Sequence, residues 1–375
     1  MRNIPKINNL IIKIGSNILA DSDKGINESR VQAIADVIAR LKNDIPNITI
    51  VSSGAIAAGF KLLGFKNRPK EIVDKQACAS VGQTQLMWYY EQAFVKHNIH
   101  AAQILITKSD FSNRRRYLNA RATLARLLDL GAIPIINEND TVAANELKYV
   151  ESFGDNDNLG ALVAGLIEAD MLMILSDVDG LYTADPTKDP SAKLLYDVAE
   201  LNNDILKLAG QTNSGVGTGG MRSKLVAAEK ALAAGAYVAI LNGKDPENIA
   251  KLLKGEMVGT LFSAPTPSAD RKKLWLSYAT IPQGSIAIDD GAKKALLEKH
   301  SSLLSSGVVS VSGKFHAGDA VTVVDVDGAE LAMGRVRYSS EELNKIKGKK
   351  SADIEAILGV KGSSCVIHCD EMGFY

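Results

Sequence analysis

The segment Leu10-Ile11-Ile12-Lys13-Ile14-Gly15-Ser16 is an apolar run that contains one lysine and ends in glycine and serine. A short run of branched apolar residues predicts a buried β-strand. Similar runs recur along the chain, with amphipathic helical patterns between them: Ile48–Val51, Ala102–Leu105, Ile133–Ile136, Met171–Leu175 and Tyr237–Leu241. Because strands alternate with helices, we predict an α/β fold in which helices cover both faces of a mainly parallel sheet.

The sequence changes character after residue 262. The segment Ser263–Asp270 is small, polar and proline-bearing, which is typical of a linker. Beyond it, strand-like runs separated by turn signals such as Asp327-Gly328 dominate, with one clear helix at Asp289–Lys299. We therefore predict a first domain at residues 1–262, a linker and connecting strand at 263–280, and a small β-rich domain at 281–375.

The composition argues against several classes of protein. The 375 residues contain 43 basic and 43 acidic side chains, so the net charge is zero and no overall field attracts nucleic acid. The apolar stretches are too short to cross a bilayer, and the first residues lack the pattern of a signal peptide. We therefore expect a cytoplasmic protein that has no membrane partner.

The cysteines do not suggest a disulfide framework, because there are only 3 of them. Cys365, His368 and Cys369 resemble a group of metal ligands. A terminal strand over Cys365–His368 explains the spacing better, since its two-residue period would place the cysteines on one face and the histidine on the other. We therefore predict no metal site built from protein side chains.

Polar or small residues follow several predicted strands, where parallel α/β sheets bind their ligands. Lys13 could bind phosphate from the end of the first strand, but a surface lysine whose stem packs on apolar neighbours would look the same. Ser53 and Gly54 begin a run of small residues that suits an anion-binding turn. Tight packing of a helix on the sheet would favour the same run, so both readings stay open.

Two polar clusters exceed what turns and helix caps require. Asn137-Glu138-Asn139-Asp140 ends a strand that should be buried, and Asp155-Asn156-Asp157-Asn158 directly precedes an apolar helix. Aspartate and asparagine are good N-caps, but a cap needs only a single residue. The surplus predicts a polar site for a substrate or for lysine side chains.

A glycine-rich segment gives the sharpest signal for nucleotide binding. Ser214-Gly215-Val216-Gly217-Thr218-Gly219-Gly220-Met221-Arg222-Ser223-Lys224 leads into a predicted helix at Ser223–Ala234. Its backbone N–H groups could bind phosphate oxygens, and Lys224 adds a cation. A disordered linker is the alternative, which the following helix disfavours.

The polar loop that begins at Ser176-Asp177 is long enough for a nucleotide pocket. Dinucleotide-binding, P-loop and protein-kinase motifs are absent or lack their structural context.

Several blocks of the chain resemble the amino-acid kinase family, in order and across the predicted first domain: Lys13–Ser16, Ser53–Gly59, Asn137–Asp140, Gly154–Asn158, Gly180–Pro186 and Gly217–Met221. They are most similar to the branch of that family that phosphorylates glutamate. The predicted second domain resembles a PUA domain in the blocks Asp289–Ala292, Ser301–Leu304 and Gly313–Phe315. Arg222-Ser223 and a longer approach to Gly154 depart from the family pattern.

This resemblance implies a three-layer α/β/α fold and the transfer of phosphate from ATP to the γ-carboxylate of L-glutamate, the first step of proline biosynthesis. It implies Mg²⁺ held mainly by the ATP phosphates, and proline as a feedback inhibitor. We expect a homodimer or homotetramer, with a glutamyl-phosphate reductase as a candidate partner.

Some PUA domains bind RNA, but acidic residues outnumber basic ones after residue 283, so RNA binding is not expected.

The resemblance also assigns roles by position. The catalytic residues would be Lys13, Asp157 and Lys224. The substrate site would include Ser53, Gly54, Asn137, Asp140 and Asn156. The nucleotide site would include Lys13, Ser176, Asp177, Thr218, Gly219, Gly220, Met221, Arg222, Ser223 and Lys224.

These roles suit a carboxylate acceptor. A glutamate side chain has a pKa of about 4.3 and is ionised at neutral pH, so it needs no general base. The obstacle is repulsion between two anions, which Lys13 and Lys224 could bridge if Asp157 lies between them. Kinases of the same family that act on aspartate, N-acetylglutamate, carbamate or a nucleoside monophosphate are the competing enzymes, and an RNA-binding protein is the competing class.

Overall fold

The computed structural model describes residues 1–21, 25–143, 155–209, 220–263, 282–359 and 362–374. By their internal contacts the residues form two compact units, Met1–Thr107 with Ala120–Thr266 and Lys108–Asn119 with Pro267–Tyr375. The predicted linker lies almost wholly outside the described residues, so its boundaries stay a prediction. In the part of the chain that is described, no helix has the length and apolar character to cross a membrane.

The strands of the first 263 residues are β1 (Asn9–Ile14), β2 (Ala20–Asp21), β3 (Gly25–Ile26), β4 (Asn47–Ser52), β5 (Ala101–Ile106), β6 (Ile133–Glu138), β7 (Met171–Ser176), β8 (Asp197–Val198), β9 (Tyr237–Asn242) and β10 (Thr260–Phe262). They form a large sheet in the order β5-β6-β4-β1-β7-β9-β10-β8 and a separate pair, β2-β3. In the large sheet the pairing is parallel except between β9 and β10. The predicted mainly parallel α/β sheet is thus confirmed.

The helices of this part are α1 (Ser16–Leu19), α2 (Glu28–Leu41), α3 (Ala55–Gly59), α4 (Ile72–Val95), α5 (Lys108–Ser112), α6 (Arg114–Asp129), α7 (Asn156–Leu166), α8 (Asn203–Leu208), α9 (Met221–Ala233) and α10 (Glu247–Leu253). The strands predicted from sequence appear with one or two further residues at their ends. The helix predicted at Ser223–Ala234 begins two residues earlier, at Met221. The helix α4 was not among the predicted helices.

The alternating side chains of β1 serve two different layers. Leu10, Ile12 and Ile14 lie in an apolar core shared with α2, α4 and α10. Lys13 points to the opposite face, because successive residues of a strand alternate between faces. There α7 packs against β1 at Gly160, where an added Cβ would lie 3.5 Å from the Cβ of Lys13. The same strand therefore anchors the core and presents Lys13 beneath α7.

The C-terminal part contains β11 (Gly284–Ile288), β12 (Val308–Gly313), β13 (Ala320–Val324), β14 (Glu330–Val336) and β15 (Ile367–Phe374). These strands form a sheet in the order β12-β11-β13-β14-β15 that is antiparallel except between β11 and β13. Its helices are α11 (Asp290–Lys299), α12 (Ser340–Ile346) and α13 (Ile354–Leu358), with short 3-10 helices at Ser305–Gly307 and Ser351–Asp353. This small β-rich domain agrees with the prediction.

The strand predicted at Cys365–His368 is wrong in its position. β15 begins at Ile367, and buried Cys365 lies before it in a loop where the Tyr338 hydroxyl donates to the Ser363 carbonyl. Cys365 therefore lies outside the strand period that was predicted to place it on one face with Cys369. Within β15, Cys369 Sγ lies 3.8 Å from His368 Nδ1.

Candidate active site

The strands β6, β4, β1 and β7 are neighbours in the sheet and parallel, so the residues that follow them meet at one edge. The helix α7 begins at the same edge, where its first residue donates a hydrogen bond to the last residue of β4. Predicted site residues that lie at this edge are Lys13, Ser53, Asn137, Asn156 and Ser176.

The centre of the site is a buried carboxylate between two buried ammonium groups. Lys13 Nζ contacts Asp157 Oδ1, and Lys224 Nζ lies 3.3 Å from Asp157 Oδ2. The exposed fraction is 5% for Lys13, 6% for Lys224 and 0% for Asp157. The three predicted catalytic side chains are therefore brought together, with two lysines on one aspartate.

Asp157 is ionised in this setting. Burial by itself raises the pKa of a carboxyl group, but the charges and hydrogen bonds of Lys13 and Lys224 outweigh burial and hold the pKa of Asp157 below its usual value. The carboxylate in turn reduces the repulsion between the two lysines. It thus provides a counter-charge for two lysines that share one buried site.

The start of α7 explains how Asp157 reaches this place. Asp155 caps the helix, and its Oδ1 accepts hydrogen bonds of 3.1 Å from the backbone N–H groups of Asp157 and Asn158. Burial and the neighbouring charge of Asp157 raise the pKa of Asp155. The polar surplus noted in the sequence is thus divided between a cap and side chains that face the site.

An amide network joins α7 to the ends of β4 and β6. The Asn156 side-chain NH₂ donates to the Ser52 carbonyl at 2.9 Å, to Ser53 Oγ at 3.0 Å and to Asn137 Oδ1 at 2.8 Å. The Asn137 NH₂ donates in turn to Gln83 Oε1 at 2.9 Å. The predicted substrate residues Ser53, Asn137 and Asn156 therefore form one connected group.

The remaining predicted substrate residues lie on the flanks of this group. Gly54 has a φ of 114°, and an added Cβ would lie 3.2 Å from Ile26 Cδ1, so the turn after β4 requires glycine. Asp140 lies beyond the end of β6, where burial raises its pKa to about 6. A carboxyl group with this pKa changes its charge near neutral pH.

On the side predicted to bind the nucleotide, Ser176 donates to Asp177 Oδ1 at 3.2 Å, and the Asn17 amide donates to Asp177 Oδ2 at 3.3 Å. Burial by itself raises the pKa of Asp177, but the backbone, these two donors and the charge of Lys224 together lower it. This link to Lys224 places Asp177 beside the central cluster.

The helix α9 supplies the other predicted nucleotide residues. Gly220 is its N-cap and has no side chain that could accept a capping hydrogen bond. Ser223 Oγ donates to the Gly220 carbonyl at 2.9 Å and lies 3.5 Å from Asp157 Oδ2. Met221 is half-buried and Arg222 is exposed. Thr218 and Gly219 lie outside the described residues, so their predicted phosphate contacts stay predictions.

Sequence reasoning missed residues that support the site from behind. Gln83 lies on the unpredicted helix α4, Asn17 lies in α1 just after β1, and Asp155 was read only as part of a polar cluster. A glutamine within an otherwise small and apolar helical stripe was a usable signal for Gln83. Asn17 offered none, because its partner Asp177 is 160 residues away.

Comparisons with known proteins match both parts of the chain. The model of the amino acid kinase family matches residues 8–242, and the PUA domain model matches residues 284–358. The chain is 44% identical over 369 residues to a glutamate 5-kinase of Geobacter sp. (strain M21), with 98% of each chain covered. It is 46% identical over 369 residues to that of Geobacter sulfurreducens, again with 98% of each chain covered. The matched relatives thus span nearly the whole chain.

Proposed function

The chain belongs to the amino acid kinase family of phosphotransferases and carries a PUA domain, and from its site we propose that it phosphorylates the γ-carboxylate of L-glutamate with ATP. Relatives named glutamate 5-kinase that are 44–46% identical over nearly the whole chain support this acceptor. The family matches also confirm the resemblance found in the sequence motifs.

A single observation carries the proposal: Lys13 and Lys224 approach opposite oxygens of Asp157 in a buried cluster. The reacting groups are both anions, so their approach requires fixed positive charge rather than a base. The glutamate carboxylate attacks the γ-phosphorus, a new O–P bond forms, and the bond to the β-phosphate oxygen breaks to release ADP. Lys13 and Lys224 neutralise the charge that passes between these groups.

Asp157 acts through the two lysines. Because its oxygens are occupied by ammonium groups, it holds their positions and keeps them from separating. Its lowered pKa means that it is an anion at neutral pH. We assign it a positioning role, while Lys13 and Lys224 contact the transferred phosphoryl group.

The chemistry of the site fits Mg²⁺ carried by the nucleotide. Among the described residues, the only group of three or more side chains suited to hold a metal ion is His368, Cys369 and Asp370, in the C-terminal part. Asp157 is engaged by lysines and Asp177 by hydrogen bonds. Mg²⁺ bound to ATP phosphates would add Lewis-acid stabilisation of the same developing charge.

The amide network is proposed to hold the amino-acid part of the substrate, with Ser53, Gly54, Asn137, Asp140 and Asn156 around it. Gly220, Met221, Arg222 and Ser223, with Thr218 and Gly219 before them, are proposed to bind the ATP phosphates, and Ser176 and Asp177 to line the nucleotide site. We further propose a place in proline biosynthesis with proline as inhibitor, a homodimeric or homotetrameric assembly in the cytoplasm, and a glutamyl-phosphate reductase as the consumer of the labile product.

The test is ADP release with each candidate acceptor in turn, combined with hydroxylamine trapping of the acyl phosphate. We expect turnover with L-glutamate, no comparable turnover with aspartate, N-acetylglutamate, carbamate or UMP, and inhibition when proline is added. Turnover with another acceptor and none with glutamate would refute the assignment. If proline does not inhibit turnover, only the proposed feedback inhibition is refuted.

A further inference from the structure

Gln83 lies on the buried face of α4 and is 8% exposed. The residue before it brings the helix backbone unusually close to α3, since a Cβ added to Gly82 would lie 1.8 Å from the Ala55 carbonyl oxygen. Tyr90 on the same face donates or accepts a bond with Ser52 Oγ at 2.9 Å. The buried face of α4 thus carries polar side chains that reach the ends of β4 and β6.

The backbone fixes which way each amide of the network points. The Glu138 N–H can only donate, and it donates to Asn137 Oδ1 at 2.9 Å. The Asn137 NH₂ must therefore face away from it, toward Gln83 Oε1 at 2.9 Å. The orientation of Asn137 is held at both ends, by a backbone donor and by the Gln83 acceptor.

Asn156 is oriented by the same logic. The Ser52 carbonyl can only accept, so it binds the Asn156 NH₂, and Asn137 Oδ1 accepts from the same NH₂ at 2.8 Å. Asn156 Oδ1 then points out of the network, and it has no hydrogen-bond partner among the residues that the structure describes. It is an acceptor left available at the edge of the sheet where the substrate is expected.

Gln83 itself shows an imbalance. Its Oε1 is bonded, whereas its buried Nε2 has no partner in the described part of the chain. A buried amide N–H without a partner lowers stability, and an apolar side chain of similar size would avoid that loss. The acceptor oxygen is therefore the property that this position supplies.

Building on the proposed function, we propose that Gln83 is a positioning residue for the amino-acid substrate. Through Asn137 it fixes the amide of Asn156, so that Asn156 Oδ1 accepts a hydrogen bond from the α-ammonium group of the substrate. Without the Gln83 acceptor, the Asn137 amide is held only at its oxygen, by the Glu138 N–H, and its NH₂ is left without that acceptor, so the position of Asn137 against Asn156 is less well fixed. Gln83 acts on substrate binding and leaves the phosphoryl-transfer cluster untouched.

The experiment compares Gln83→Met, which removes the acceptor, with Gln83→Glu, which keeps an acceptor oxygen of the same reach. We expect Gln83→Met to raise the KM for L-glutamate about tenfold, with the KM for ATP and kcat within about twofold of wild type. Gln83→Glu should restore the KM for L-glutamate to within about threefold. If Gln83→Met does not fold, Gln83→Asn serves instead, because its shorter amide cannot reach Asn137.

A second measurement separates positioning from general damage. If Gln83 acts through Asn156, adding Gln83→Met to Asn156→Ala should change the KM for L-glutamate by less than about twofold. The inference would be overturned if the fold-changes in the KM for L-glutamate of the two single variants multiply in the double variant. It would also be overturned if Gln83→Met raises the KM for ATP equally, or if it has no effect. Those results would be read on a wild-type enzyme that uses glutamate; absence of that wild-type activity would instead refute the proposed function.

Discussion

Lys224 Nζ and Asp157 Oδ2 lie 3.3 Å apart, although 67 residues separate them in the sequence. Asp157 is in the first turn of α7 and Lys224 in the first turn of α9, and these two helices pack against each other. Lys13 reaches the same carboxylate from β1. The contact therefore ties two helix starts and one strand end into a single charged site.

Removing either central lysine should abolish most of the activity. We expect Lys13→Ala and Lys224→Ala each to lower kcat by at least about 100-fold, the scale of losing one donor to a developing anion. Steady-state ADP release would measure this. Lys207→Ala is the matched control, because Lys207 is exposed and pairs only with nearby Asp204 in the described structure. Near-normal kcat in both site variants would contradict their assignment.

Replacing the shared carboxylate should affect both stability and catalysis. Asp157→Asn leaves two buried ammonium groups without their counter-charge, and breaking such a buried pair typically costs about 3–5 kcal/mol. We expect a clear drop in the midpoint of urea unfolding together with a kcat loss of at least about 100-fold. The pKa of Asp157 is lowered by folding, so its stabilising effect is present at neutral pH and is lost in acid. The free energy of unfolding of Asp157→Asn should therefore differ least from that of the wild type at low pH.

The raised pKa of Asp140, about 6, predicts a pH-dependent use of the amino-acid substrate. If the Asp140 carboxylate binds the substrate ammonium group, kcat/KM for L-glutamate should fall as the pH drops below about 6. Asp140→Asn should lower kcat/KM about 10- to 100-fold at neutral pH, the scale of a charged hydrogen bond, and should flatten this profile. A profile unchanged by the substitution would assign the ionisation to another group.

The same carboxyl group should weaken the folded state at neutral pH. Its pKa is near 3.8 when unfolded and about 6 when folded, so the unfolded chain releases the proton first as the pH rises. Stability from this group is therefore lost progressively up to about pH 6 and stays lost above it. Thermal unfolding should show Asp140→Asn more stable than wild type at pH 8, by a margin that shrinks at pH 5.

The contact between α3 and α4 should not tolerate a side chain at Gly82. An added Cβ would lie 1.8 Å from the Ala55 carbonyl oxygen, so Gly82→Ala must separate the two helices. We expect a loss of about 1–3 kcal/mol in the free energy of unfolding and a raised KM for L-glutamate, because Gln83 moves with the helix. Thr84→Ala, on the exposed side of α4, is the control and should change stability by less than about 0.5 kcal/mol. Equal free energies of unfolding for Gly82→Ala and Thr84→Ala would contradict the close contact between α3 and α4.

The helix α4 illustrates where sequence patterns fail. Its buried side combines small residues with Gln83 and Tyr90, while Val81 and Trp88 are exposed. The helix was not predicted because its apolar residues recur with only a weak helical period, and this period is the main signal of helical structure in a sequence. The position of β15 failed for a related reason, because the bonds that hold Ser363 come from Tyr338 and Arg337, far back in the sequence.

The sequence by itself determined the strands, their mainly parallel arrangement and the edge where polar residues gather, because periodicity and the residues after each strand are local properties. It also carried the motifs that identify the family. Only the tertiary structure decided that Asp157 takes a lysine on each oxygen, that Asp155 is the cap, and that Gln83 holds Asn137. Those contacts join residues far apart in the chain, and burial, which sets their strength, exists only once the layers have packed.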